Sequence, residues 1–309
     1  MPRLLPASLA LAALVAAVAG CGAGGPAGAG NGPSVVVTTT ILGDVTRHLV
    51  GDDAQVTVLM PPNADPHDFQ ASARQAAEMR EARALVVNGG GFEGGLDDTI
   101  AGAHDDGVAT FTALDHVPTR RQGGHVDPHF FTDPARIATA AEALAGFLAD
   151  EVPGLDTAAF RRRAAAYVAD LRALDRSTEQ TLAAVPADRR KLVTNHDVFG
   201  YFADRYGFEV LGAVIPSATT QAQPSAGDLA DLADTVRRAG VPAVFADTSS
   251  PERLAEALAQ EVGDEVKVID LYSESLGPPG SPGDSYVGMV RTNARRIAAA
   301  LGDGDGGSP

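Results

Sequence analysis

From Ser34 onward, short runs of β-branched and apolar residues alternate with stretches whose apolar positions return every three or four residues. "SVVVTTT" leads into helical spacing from Leu42 to Val50, "AQVTVLM" into "ASARQAAEMREA", and "RALVVNGG" is followed further on by "VATFTAL". Runs of β-branched residues bounded by turn residues predict strands, and a period near 3.6 predicts amphipathic helices. Strands that alternate with helices predict a mainly parallel sheet covered on both faces. The rhythm restarts near residue 190 with "KLVTN", "FEVLGAVI", "VPAVFAD" and "EVKVIDLY", each followed by a helical segment. The expected fold is therefore α/β, with two doubly wound lobes.

Between the two rhythms, Leu155 to Val185 contains neither Gly nor Pro and keeps apolar residues at helical spacing. At 1.5 Å per residue this helix would extend roughly 45 Å, the span of a small domain, so it is expected to tie the lobes together rigidly. The expected division is an N-terminal lobe over 34–153, a connecting helix over 154–187 and a C-terminal lobe over 188–309. A chain of 309 residues with 45 % hydrophobic content can bury two such cores.

Residues 1–20 carry one basic residue, then a short Leu/Ala/Val stretch and a small-residue end, as in an export signal. The stretch is too short for a membrane span. The only cysteine, Cys21, follows in "VAGC", which resembles the lipobox of bacterial lipoproteins, so Cys21 is the expected lipidation site. A single cysteine allows neither an intrachain disulfide nor a thiolate metal site. Residues 21–33, rich in Gly, Ala and Pro, read as a flexible tether. The expected location is extracytoplasmic, attached to the cell membrane. A formal charge of −16 argues against a nucleic-acid partner, whose phosphates need clustered Lys and Arg, and favours a cation or a neutral ligand.

Placed on this frame, the seven histidines separate. His67 follows the strand "QVTVLM", His129 stands in "HVDPHFFTDP" after "VATFTAL", and His196 follows "KLVTN". Open parallel sheets bind ligands beyond the carboxyl ends of their strands, which is where these three fall. The same edge receives Asp247, after "VPAVFA", and Glu274, after "EVKVIDLYS". Imidazoles with one carboxylate suit a borderline cation such as Zn2+. Asp65, Asp68, Asp127 and Asp197 are candidate acceptors for the second ring N–H of the imidazoles. His48 and His104 read as exposed. "GGGFEG", residues 89–94, satisfies a dinucleotide-binding pattern, but an exported protein has little access to such a cofactor. The glycines are expected to bring backbone close to the cleft. An exported zinc hydrolase is the rival class, although no H-E-x-x-H pattern is present, and a surface adhesin is a third.

Together "ADPHDFQASARQ", "NGGGFE", "DPHFFTDP", "TNHDVFGYFADRYGFEV", "QPSAGDLADLADTVRRAGVPAVFAD" and "GDSYVGMVRTNARRI" resemble the solute-binding lipoproteins of zinc and manganese ABC importers, the ZnuA-like cluster A-I family. The similarity runs in order from Ser34 to Leu301. It implies two α/β lobes joined by one long rigid helix, with metal in the cleft between them. Carried over by position, the ligands would be His67, His129 and His196, and the histidine at the third position is that of zinc members. Where manganese members place an aspartate, this chain reads Ser273-Glu274-Ser275, so Glu274 is the expected fourth ligand, with Asp247 or water as rivals. The long His-rich insertion of many zinc members is missing; His116 and His125 are the candidates for loop metal capture.

The resemblance implies a monomer that captures Zn2+, with Mn2+ as the alternative cargo, and delivers it to a membrane ABC permease. A periplasmic metallochaperone is a further candidate partner. Affinity is expected to fall as pH drops through about 6–7, because neutral imidazoles bind metal. A stiff connecting helix predicts small loop or lobe shifts on metal loss and no wide hinge opening.

Overall fold

The computed structural model describes residues 33–302, apart from 123, 216, 218, 221–224, 250–252 and 264–265. The expected export signal, Cys21 and the tether through residue 32 lie outside the described residues. Among the described residues, no helix is long and apolar enough to cross a membrane.

The first lobe runs β1 (Ser34–Val37), α1 (Thr40–Val50), β2 (Gln55–Val58), α2 (Ala73–Glu81), β3 (Ala84–Val87), α3 (Asp97–Asp105) and β4 (Ala109–Thr112). A two-residue-strand hairpin follows, β5 (Arg121–Gln122) and β6 (His125–Val126), and then α4 (Pro134–Glu151). The second lobe runs β7 (Lys191–His196), α6 (Gly200–Tyr206), β8 (Glu209–Ile215), α7 (Ala226–Ala239), β9 (Ala243–Asp247), α8 (Arg253–Val262), β10 (Lys267–Leu271) and α9 (Tyr286–Leu301). The main sheets are parallel, ordered β2-β1-β3-β4 and β10-β9-β7-β8. Counted within each lobe the order is the same. Each sheet therefore has a switch point, where successive crossovers leave in opposite directions and a crevice forms at the strand ends.

Helix starts follow local chemistry. Thr39 accepts the Leu42 amide, so α1 starts two residues before the apolar spacing shows it. Asp133 caps α4, whose first residue is Pro134. The connecting helix, α5 (Ala158–Leu182), is capped by Thr157 and is about 37 Å long at 1.5 Å per residue. Its buried face carries Phe160, Ala164, Tyr167, Leu171 and Leu174 into the first core, while Leu182 enters the second. Helix α9 also reaches both cores. Tyr286, Met289 and Val290 pack in the first, and Ala294, Ile297 and Leu301 in the second. Each fully buried side chain of this size stabilises by about 1.5–3 kcal/mol, so two helices resist separation of the lobes. Arg205 adds a forked ion pair from α6 to Asp175 of α5, at 2.9 and 2.6 Å.

Candidate metal centre

Each loop that brings a side chain to the cleft is shaped by its own polar contacts. After β2, Asp65 accepts the His67 backbone N–H at 2.9 Å, closing a tight turn. From the second lobe, Thr220 donates its hydroxyl to the other Asp65 oxygen at 2.7 Å. After the hairpin, Asp127 accepts both the backbone N–H of His129, at 3.0 Å, and its ring Nδ1–H, at 2.8 Å. That bond fixes the His129 tautomer and turns Nε2 inward. His196 is itself the last residue of β7, paired with Ile215 of β8. The loop after β10 carries Glu274 and is bonded across to the first lobe. Ser275 accepts the Asn63 amide at 3.0 Å and Thr40 accepts the Leu276 amide at 2.9 Å.

These loops bring His67, His129, His196 and Glu274 together, with one donor atom from each lying within 4.8 Å of all the others. All four are at most 2 % exposed. Glu274 Oε1 lies 2.8 Å from His67 Nε2, 3.2 Å from His129 Nε2 and 3.5 Å from His196 Nε2. The three imidazole rings meet edge to face, at centroid separations of 5.4 to 5.8 Å. Four-coordinate zinc with bonds of about 2.0–2.2 Å separates its ligand atoms by roughly 3.3–3.6 Å. The donor set is therefore already near that size. Both ring nitrogens of His196 and Oε2 of Glu274 are buried without a hydrogen-bond partner. Buried polar atoms ordinarily find partners, so an unpartnered His196 Nε2 beside the Glu274 carboxylate fits a cation centre.

The electrostatics have the same focus. Burial would push Glu274 upward, but electrostatic attraction from the nearby His196 ring and the bonds from His67 and His129 hold it well below the usual carboxylate range. Burial would likewise keep His129 neutral, yet Asp127 and Glu274 overcome it and raise its pKa to about 9. Without metal at neutral pH, a proton on His129 thus neutralises part of the buried carboxylate charge. Asp127 is itself lowered: burial opposes ionisation, and His129 and Arg120 outweigh it.

The remaining sequence candidates fall elsewhere. Asp247, the last residue of β9, is not among the four. It accepts the backbone amide and hydroxyl of Ser249, each at 2.8 Å, and burial beside Glu274 raises it to about 8. Of the four acids expected to orient imidazoles, Asp127 contacts a ring, whereas Asp65 holds the His67 backbone. Asp197 accepts from Gln122 instead of from the His196 ring, and Asp68 is exposed. His125 is exposed on β6, and exposed His116 stacks on Phe111 at 4.4 Å. His48 and His104 are exposed, His48 lying flat against Tyr167.

Sequence reading missed Phe92 and Glu93 as parts of the centre. Gly89, Gly90 and Gly91 all have positive φ. This turn lets Glu93 accept the Asn88 and Gly89 amides and the Thr38 hydroxyl at 2.6, 3.1 and 2.8 Å. A Cβ at Gly90 would strike Leu114 at 2.5 Å. The turn sets Phe92 edge-on against His67 and His129, at 5.2 and 5.6 Å. The glycine run thus builds an aromatic wall of the centre.

Comparison with known proteins agrees with this architecture. The profile of the periplasmic zinc-uptake complex component A matches residues 35–300. The zinc-binding protein TroA of Treponema pallidum is 30 % identical over 276 residues, covering 87 % of this chain and 89 % of TroA. The manganese-binding lipoprotein MntA of Bacillus subtilis is 31 % identical over 276 residues, covering 86 % of this chain and 89 % of MntA. The solved structure of the Treponema pallidum protein superposes with a TM-score of 0.83 at 30 % identity, covering 88 % of this chain and 99 % of the other.

Proposed function

This chain belongs to the family of the periplasmic zinc-uptake complex component A, the metal-binding, solute-binding components of ABC importers, and from that premise we propose that its cargo is Zn2+ held by His67, His129, His196 and Glu274. It is not an enzyme: a protein of this family carries its ligand to a membrane permease unchanged.

The observation that supports zinc is the donor set, three imidazole nitrogens and one carboxylate oxygen within 4.8 Å in a fully buried site. Nitrogen-rich four-coordination suits Zn2+, whereas Mn2+ favours oxygen-rich octahedral shells. Relatives named for zinc and for manganese both match, so the metal has to be decided on this protein. Delivery begins outside the cytoplasmic membrane, with the chain anchored through lipid on Cys21. The cross-lobe bonds of Thr220 and Ser275 favour release by small loop shifts over wide opening.

Elemental analysis with competition titration tests the reading. One tightly held zinc per chain, bound in preference to manganese and lost on His67→Ala, is expected. Equal or tighter binding of manganese would overturn the zinc assignment.

A further inference from the structure

Arg120, in the loop leading into β5, makes contacts on both sides of the cleft. Its Nη1 donates to Asp127 Oδ2 at 2.8 Å, while the other oxygen of that carboxylate holds the His129 ring. Its Nε donates to Asp204 Oδ2 on α6 at 3.2 Å. Its backbone N–H donates at 3.0 Å to the hydroxyl of Tyr201, also on α6, and that hydroxyl donates to the Asp127 carbonyl at 2.8 Å. Helix α6 begins four residues after His196. Its first residue is Gly200, where a Cβ would run into the Arg120 guanidinium and the Asp127 carboxylate. One guanidinium thus joins the acid that orients His129 to the helix that follows His196.

Resting on the zinc reading above, we propose that Arg120 is a positioning residue, a latch that makes retention of the metal depend on contact between the lobes. A lysine could supply the charge but not the fork, because only a guanidinium presents two fixed donors to two carboxylates at once. The Asp127 arm is buried, with that carboxylate 1 % exposed, whereas Asp204 is 57 % exposed. The inner arm therefore sets ring orientation, and the outer arm is the part that a partner touching α6 can displace. Loss of the outer arm leaves the guanidinium held at Nη1 alone, by Asp127 at 2.8 Å and Gln122 at 2.7 Å, so its orientation and its hold on Asp127 loosen.

The test is the rate at which zinc-loaded protein releases metal to excess chelator, measured together with the association rate. Arg120→Met is expected to speed release about tenfold, within the range for groups that orient metal-binding histidines. Arg120→Lys should restore only part of this, and association should stay near wild type. Asp204→Asn is expected to speed release about threefold, as for an exposed charge pair. The double variant should release no faster than Arg120→Met alone, because both changes remove one device. Wild-type release from Arg120→Met, or effects that multiply in the double variant, would overturn the latch. Should Arg120→Met fail to fold, wild-type release from Asp204→Asn does the same. Wild-type protein that holds no zinc at all would overturn the coordination reading and the latch with it.

Discussion

His129 and His196 face the same point from opposite lobes, but they are held differently. The His129 ring is bonded at both nitrogens, by Asp127 at 2.8 Å and Glu274 at 3.2 Å, whereas neither ring nitrogen of His196 has a hydrogen-bond partner. Glu274 comes from the second lobe, yet its loop is bonded to Thr40 and Asn63 of the first. Three of the four groups are thus referred to one rigid frame, and His196 alone stands on the second sheet with only packing to orient it. On the zinc reading this is a division of labour: one wall is preorganised, and the other would complete the shell when the cation arrives. Preorganisation lowers the ordering cost of binding, while the unbraced ring is the contact most easily withdrawn.

The largest effect should come from Glu274, the group on which all three imidazoles converge. Glu274→Ala is expected to weaken zinc binding by more than the roughly 100-fold reached when outer partners of a metal site are removed. Competition titration checks this, and unchanged affinity would remove Glu274 from the shell.

The pH dependence sharpens the contrast between the walls. Zinc binds neutral imidazole, and His129 carries its proton up to about pH 9 in the metal-free protein. Apparent affinity should therefore fall about tenfold per pH unit as pH drops below 9, an earlier onset than an ordinary histidine would give. The same raised pKa favours the metal-free fold below an ordinary histidine's pKa, with that contribution lost as pH rises through 9. The melting temperature of metal-free protein should accordingly decline between pH 7 and 10. Affinity that is flat from pH 9 to 7 would contradict the His129 assignment.

A smaller, paired effect concerns the neighbouring acids. Asp127→Asn should cost roughly 10–100-fold in affinity, since it loosens the tautomer and orientation of His129. Asp197→Asn should cost less than about threefold, as expected for an acid outside the metal's direct supports. Equal losses from the two would remove the asymmetry between the walls.

The fold was legible because its signals are local. β-Branched runs such as "SVVV" and "AVFAD" show strands, and the Gly- and Pro-free run around Leu171 shows the connecting helix. The hairpin at Arg121–Val126 was not, since two-residue strands leave no period to read. The contribution of α9 to the first core was also hidden, because its apolar face is continuous while its two halves meet different partners. In the site, strand-end position picked out His67, His129 and His196, but it set Asp247 and Glu274 on equal footing. Ser249 and the loop's bonds to the first lobe separate them, and neither is visible in a linear pattern. Arg120 escaped notice for the same reason: its partner Asp204 lies 84 residues away.

X-ray absorption at the zinc edge of the purified, zinc-loaded protein tests the central claim most directly. Four light-atom neighbours at about 2.0–2.2 Å, with the outer-shell scattering of three imidazoles, are expected. A six-coordinate, oxygen-rich shell, or scattering from fewer than three imidazoles, would contradict it.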